Sequence, residues 1–257
     1  MKILDLLKIP ELKNIDLNDP NTSILHSKVI QNKKFLKKIY IDFYNQFKNS
    51  VKVNIEKKVL VELGSGGGFI KEIIPNTLAS DVIPISNIDI SFTANAMPFK
   101  NNSIDAFFLL NVFHHFNDPE ACLKEMNRCL KTNGKIIMTE PANTLWGSLI
   151  QRYIHYEPFD INGTWHLEKK GPLTTGNSAL PWIIFIRDKA KFENKFSGLK
   201  IIKINLHTPF RYLASGGVSY RQVVPTFFYG LIRGLEIILS PFNRFIALFQ
   251  TIEIIKV

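Results

Sequence analysis

The chain has 257 residues, 46% of them hydrophobic and 21% charged, which supplies a large core and excludes general disorder. Its formal charge of +10 and isoelectric point near 9.5 exclude an acidic solvating protein and favour an anionic partner: nucleic acid, an acidic membrane surface or a phosphorylated substrate. The length suits one α/β domain with insertions.

Residues 1–20 are mixed in character, contain Pro10 and Pro20, and read as a loosely packed arm. A helix is expected from Ser23 to about Phe47, because Leu25, Val29, Leu36, Ile39, Phe43 and Phe47 recur at helical steps with lysines between them. Asn21 or Thr22 is placed to cap it.

The run Val59 to Ile70 is the organising stretch of the chain. A short apolar strand ends in Glu62, and the turn Gly64-Ser65-Gly66-Gly67-Gly68 comes next. Glycines at 64 and 66 permit positive φ and let a ligand lie against the backbone. Phe69 stands where a dinucleotide fingerprint would carry its third glycine, which disfavours a pyrophosphate ligand. A helix of one or two turns from Phe69 to Ile74 is expected to aim its positive end at the ligand before Pro75 stops it. A second strand, Thr77 to Val82, carries Asp81 near its end, 17 positions after Gly64 (81 minus 64), where doubly wound folds place an acid on ribose hydroxyls. Asn87 to Ile90 reads as a short strand.

Residues 106–110 form an apolar strand ending at Asn111-Val112-Phe113-His114-His115, and ligands of open α/β sheets bind beyond such strand ends. Asp118-Pro119-Glu120 starts a helix, Asn133-Gly134 is expected to end it, and a fifth strand exits at Pro141. The segment Glu62-Leu63-Gly64-Ser65-Gly66-Gly67-Gly68, with Ala94 to Phe99, Asn111 to His115 and Gly134 to Pro141 after it, resembles the class I S-adenosylmethionine-dependent methyltransferases, continuously from Val59 to Pro141.

That resemblance implies a doubly wound, Rossmann-like α/β fold with a seven-stranded, mostly parallel sheet whose last two strands are antiparallel to each other. It implies S-adenosyl-L-methionine as cofactor and S-adenosyl-L-homocysteine as product. Glu62, Gly64, Ser65, Gly66, Gly68, Asp81, Ala96, Met97, Asn111 and Val112 become the expected cofactor contacts. Thr93 replaces the aspartate expected to read the adenine. The helix before the first strand becomes a candidate lid, with His26, Lys33 and Lys34 able to reach the site. His114 and His115 fall near the methyl acceptor, and a histidine of ordinary pKa suits a general base. No third ligand at a usual spacing completes a zinc set, so no metal is expected.

Residues 142–199 are rich in aromatics and suit an irregular cap over the acceptor, with His155, Tyr156 and His166 as further candidates. Lys200 to His207 and Thr251 to Val257 read as the last two strands, so residues 209–250 become an apolar helical insertion between them. Within 223–249, Arg233, Glu236, Pro241 and Arg244 interrupt the apolar run, which argues against a spanning helix. Two amphipathic helices fit, the first carrying Phe227, Phe228, Leu231, Leu235, Ile238 and Leu239. They suit peripheral contact with a membrane, a cap on the domain or a homodimer interface.

The expected organisation is a single methyltransferase domain: arm and lid helix (1–50), cofactor-binding core (58–141), substrate cap (142–199) and insertion (209–250). The two cysteines, Cys122 and Cys129, offer neither a disulfide framework nor a metal spacing and read as free buried thiols in a reducing compartment. Met1-Lys-Ile-Leu-Asp does not open a signal peptide, so a cytoplasmic, optionally membrane-associated enzyme is expected. Its acceptor is expected to be a small molecule or lipid-linked: a quinone, a lipid or a membrane-linked saccharide. The alternatives are a nucleic-acid or protein methyltransferase, disfavoured because no Asn-Pro-Pro-Tyr, Asp-Pro-Pro-Tyr or Pro-Cys run and no RNA-binding module occurs, and a non-catalytic cofactor-binding module.

Overall fold

The computed structural model describes residues 6–12, 15–16, 19–155, 157–168, 170–171 and 174–257. Seven strands form one sheet in the order β3-β2-β1-β4-β5-β7-β6. They are β1 (Leu60–Leu63), β2 (Thr77–Asp81), β3 (Ile90–Ser91), β4 (Ile104–Leu110), β5 (Leu130–Pro141), β6 (Leu199–His207) and β7 (Phe249–Lys256). β1 pairs in parallel with β2 and β4, and β4 with β5, whereas β7 runs antiparallel to both β5 and β6. Every residue of β1 is buried, as a strand covered on both faces must be. The chain crosses from one side of β1 to the other between β3 and β4, so the C-terminal ends of β1 and β4 frame the crevice where such sheets take ligands.

The expected single N-terminal helix is two. α1 spans Pro20–Asn32 and α2 Lys34–Ser50, broken at Lys33 (φ −85°, ψ 89°). The break has a cause: the Lys33 ammonium donates to the carbonyls of Gly217 (2.5 Å) and Tyr220 (2.7 Å), and burial lowers its pKa to about 8. The cap is Asp19, whose carboxylate accepts from the Asn21 N–H (2.8 Å), with Pro20 at the first helical position. α2 buries Phe35, Leu36, Ile39, Tyr40, Phe43, Tyr44 and Phe47, each worth roughly 1.5–3 kcal/mol of apolar burial. Phe47 stacks on Phe108 of β4 (5.3 Å, 3° between planes), laying α2 on one face of the sheet.

On the other face, α3 (Pro119–Cys129) and the segment 180–196 complete the main core. Asp118 caps α3 through the Ala121 N–H (3.0 Å). The helix ends at Cys129, before the expected Asn133-Gly134, because Leu130 already pairs with Ile104 of β4. Both cysteines are free and buried. The expected helix after the glycine turn is only one 3-10 turn, Ile70–Glu72, too short for an effective dipole.

α4 (Leu145–Tyr153) follows β5, and α5 (Lys189–Lys195) leads into β6. Between β6 and β7 lie α6 (Arg211–Ser215) and α7 (Tyr229–Ile238). α7 turns its apolar stripe to solvent and not onto the domain, as a cap would. Its buried residues are Tyr229 and Glu236, while Leu231, Leu235, Ile237 and Ile238 face solvent. Glu236, 6% exposed, accepts from the Phe210 N–H (2.9 Å) and the Arg211 N–H (2.7 Å) and pairs with the Arg211 guanidinium. Arg211 also binds Asp42 of α2, which accepts from the Tyr229 hydroxyl at 2.7 Å. A polar pin, in place of an apolar face, fastens α7 to α2. Among the described residues no helix is long and apolar enough to cross a membrane.

Candidate active site

The ends of β1 and β4 open into a cavity of about 980 Å³. Its floor is the glycine turn. Gly64 (φ +65°) and Gly66 (φ +47°) take the left-handed conformation that favours glycine. A Cβ at Gly64 would stand 2.5 Å from Val112, and one at Gly67 would stand 2.6 Å from the backbone nitrogen of Ser27, so β4's exit and α1 both rest on the turn. Gly68 similarly makes room for the Tyr44 hydroxyl.

Glu62 is buried beneath this floor. Burial pushes its carboxyl up to about 8, although the Ser65 and Tyr44 hydroxyls favour the charged form, and its Oε2 has no hydrogen-bond partner. Asp81 accepts from the N–H groups of Gly66 and Ile83, both at 2.9 Å, and lines the cavity beside the turn. Ser65 accepts from the Ser80 N–H (3.2 Å). Asn111 has φ +55° and a buried Oδ1 without a partner. The expected adenine wall shifts by a few residues: Phe92, Thr93, Ala94 and Asn95 line the cavity, whereas Met97 turns into the core and Ala96 is exposed. The physical reason is that the Met97 N–H is held by Glu125 (2.9 Å) and its side chain joins the α3 core.

Beyond the cofactor floor, His114 and His115 meet residues the sequence did not mark. Glu140, at the end of β5, accepts from the N–H groups of Val112 (2.9 Å) and Phe113 (2.8 Å) and binds His114 Nδ1 at 2.6 Å. Glu157 lies 3.1 Å from His114 Nε2 and 3.5 Å from His115 Nε2, and accepts from the Ser178 hydroxyl (3.0 Å). Burial alone would lower the His114 pKa, but the two carboxylates outweigh it and hold the ring at about 10. With both ring nitrogens engaged by carboxylates, His114 is better placed to orient its surroundings than to abstract a proton. Burial and the neighbouring His114 charge lower the His115 pKa; its Nδ1 faces the Thr175 carbonyl (2.7 Å), so the proton sits there and Nε2 is the basic atom.

The remaining candidates separate. His155 lines the cavity, and its Nδ1 accepts from the Glu157 N–H (3.3 Å). His166 does not: its side chain is 59% exposed, near Asp118 and Glu120 on the surface. Tyr156 lies outside the described residues. Of the cap tryptophans, Trp146 lines the cavity and donates to the Pro209 carbonyl (3.1 Å), whereas Trp165 is core and donates to Asp188 (2.8 Å).

The roof is assembled from distant segments. His26 and Ile30 of α1, Tyr40 and Tyr44 of α2, Gln151 and Ile154 of the α4 region, and 212–213 and 216–220 of the insertion all line the cavity. Lys33 and Lys34 are absent from that lining, Lys33 because its ammonium is taken up by the Gly217 and Tyr220 carbonyls. The arm is stitched to the insertion by the Ile9 N–H to Ser219 (3.1 Å) and the Arg221 N–H to Leu7 (2.7 Å).

A glycine turn at the end of β1, an acid at the end of β2 and a cavity over the β1–β4 switch point place the candidate site where doubly wound α/β proteins take their ligands. Residues 61–138, less than half of the chain, match the family model described as a methyltransferase domain, and over that stretch the chain is similar to the class I S-adenosylmethionine-dependent methyltransferases. Over 71 residues it is 34% identical to a demethylmenaquinone methyltransferase of Renibacterium salmoninarum, a stretch that is 26% of this chain and 30% of that protein, so it spans under a third of that relative's length. Among solved structures it is similar to a SAM-dependent methyltransferase from Archaeoglobus fulgidus (16% identity, TM-score 0.49, covering 83% of this chain and 93% of that one). It is also similar to a geranyl diphosphate C-methyltransferase from Streptomyces coelicolor (13% identity, TM-score 0.48, covering 98% and 92%).

The residues present fit the family's cofactor. The partnerless Glu62 Oε2 and Asn111 Oδ1 and the open backbone at Gly66, with only Gly64 and Asp81 atoms near 4 Å, are what a polar, cationic nucleoside would satisfy.

Proposed function

We propose that the protein is an S-adenosylmethionine-dependent methyltransferase acting on an amphiphilic or lipid-linked acceptor, such as a quinone, a lipid or a membrane-linked saccharide. The bound cofactor supplies a methyl group already activated by its sulfonium. The chain's task is to align the acceptor, keep water out and take up a proton where the acceptor loses one. In this reading Glu62, the glycine turn, Asp81 and Asn111 hold the cofactor, and His114 and His115 face the acceptor.

The observation that carries the acceptor class is the two-sidedness of α4 and the insertion. Trp146, Ile150 and Ile154 line the cavity, while Leu145, Leu149 and Tyr153, on the neighbouring stripe of the same segment, are exposed. Val223 is both cavity wall and exposed surface, and Phe227, 78% exposed, lies four residues on. A greasy surface bordering a greasy cavity suits an acceptor drawn from an interface. The name of the demethylmenaquinone relative points the same way.

The test supplies S-adenosylmethionine carrying a labelled methyl group to the purified protein with a total membrane extract and, separately, with a water-soluble metabolite extract. Label in the organic phase supports the proposal. Label confined to water-soluble products, with no association with anionic vesicles, refutes the acceptor class.

A further inference from the structure

His114, His115 and Glu157 converge in the cavity with their ligating atoms within 4.8 Å of one another. The sequence hides this grouping, since Glu157 stands far along the chain from the histidine pair in a segment without regular structure. Proximity alone would be weak, but both imidazoles are oriented from the ring nitrogen opposite Nε2, and the Glu157 carboxylate is held through its Oε2. His114 is held at Nδ1 by Glu140 (2.6 Å), His115 at Nδ1 by the Thr175 carbonyl (2.7 Å), and Glu157 by the Ser178 hydroxyl (3.0 Å). Carboxylate and carbonyl acceptors behind imidazoles are how metal-binding histidines are fixed in tautomer and direction, with Nε2 left for the metal. Glu140 is itself locked by the N–H groups of Val112 and Phe113. Gly176 keeps the wall clear, since a Cβ there would stand 3.1 Å from His115 Nδ1.

We propose that His114 Nε2, His115 Nε2 and the Glu157 carboxylate form a binding site for a first-row divalent transition-metal ion, with its open positions toward the cavity. Two imidazoles and one carboxylate suit zinc or iron better than magnesium or calcium, which prefer all-oxygen shells. The proton between His114 Nε2 and Glu157 occupies the place the cation takes, so metal binding replaces it. All three residues line the same cavity as the glycine turn, so an oxygen atom of the acceptor can complete the shell. That last role rests on the methyl-transfer reading; metal binding itself does not.

The site is tested with zinc and cobalt ions on the full chain after chelator treatment. One zinc ion per chain at micromolar or tighter affinity, and cobalt bands in the visible spectrum typical of a nitrogen- and oxygen-ligated ion, are the expected results. Glu157→Gln and His115→Ala lower the affinity at least about 100-fold, and the milder Ser178→Ala, which touches no ligand atom of a histidine, lowers it roughly 10–100-fold. S-adenosyl-L-homocysteine titration of each variant reports that the chain remains folded. Absence of stoichiometric metal in the wild-type protein, or cobalt spectra unchanged by His115→Ala and Ser178→Ala, overturns the site. Failure of S-adenosyl-L-homocysteine to bind a metal-loaded wild-type chain refutes the cofactor reading and leaves the metal site standing.

Discussion

The floor and the roof of the cavity are built by opposite means. The floor is local: β1, its glycine turn and Asp81 lie within 22 residues and hold one another through backbone groups, as in the Gly66 N–H to Asp81 bond. The roof draws on residues from Leu7 to Phe249 and depends on buried polar groups spanning long separations, such as Arg211 to Asp42 and Lys33 to Tyr220. A backbone-built floor tolerates little change in any residue that touches it. A pinned roof tolerates change everywhere except at its pins.

The pin is where the largest effect is expected. Arg211→Ala strands the buried Glu236 carboxylate and should cost about 3–5 kcal/mol, lowering Tm by roughly 10 °C in a calorimetric scan. Arg211→Met combined with Glu236→Leu removes both charges and should recover most of the loss. A double variant as unstable as the single one would show that the pin is no isolated ion pair.

On the floor, Gly64→Val combines a left-handed φ of +65° with a clash against Val112. Calorimetric titration should show at least about a 100-fold loss of S-adenosyl-L-homocysteine affinity, or about 2.7 kcal/mol. Retained affinity would mean that the turn does not touch the cofactor.

The proton inventory of Glu62 sharpens the contrast further. Its folded-state pKa, pushed to about 8 by burial, lies above the unfolded value, so its contribution to stability is present below pH 4.5 and is lost as pH rises through 8. A cationic cofactor favours the ionised form. Binding at pH 7 should release a proton, and affinity should climb by up to about tenfold per pH unit until pH 8. Titrations in buffers of different ionisation enthalpy measure the release, and Glu62→Gln should abolish it; a wild-type heat independent of buffer would sink the linkage.

Legibility in the sequence divides along the same line. The floor was legible because strand, acid and glycines sit in one continuous run and their conformational needs are intrinsic to residue type. The strands came from apolar runs between turns and capped helices, and the direction of the sheet from the resemblance to the methyltransferases. Glu140 and Glu157 were not legible, because their meaning comes from partners brought to His114 by the fold, Glu140 from 26 residues away. The break at Lys33 was equally hidden, since its cause is a pair of carbonyls more than 180 residues downstream. The apolar stripe of α7 was legible but its direction was not: apolar periodicity ordinarily marks the buried face, and here Arg211 supplies a buried partner that makes Glu236 the inner residue.

That inversion yields the smallest expected effect on the folded chain. Phe227, Leu231 and Ile238 are 78%, 69% and 74% exposed, so Phe227→Ser and Leu231→Ser remove little packing and should move stability by no more than about 0.5 kcal/mol. An ordinary core-facing helix would lose several times that. Because Arg233 and Arg244 flank these side chains on a chain of net charge +10, the same variants should lose cosedimentation with anionic vesicles, while raised salt weakens the wild type. Sedimentation velocity supplies the alternative outcome: a wild-type dimer that the variants convert to monomer would make this face a contact between copies of the chain. Absence of vesicle binding by the wild type, together with a sedimentation coefficient that the variants leave unchanged, would remove the membrane from the account and leave the cavity alone to select the acceptor.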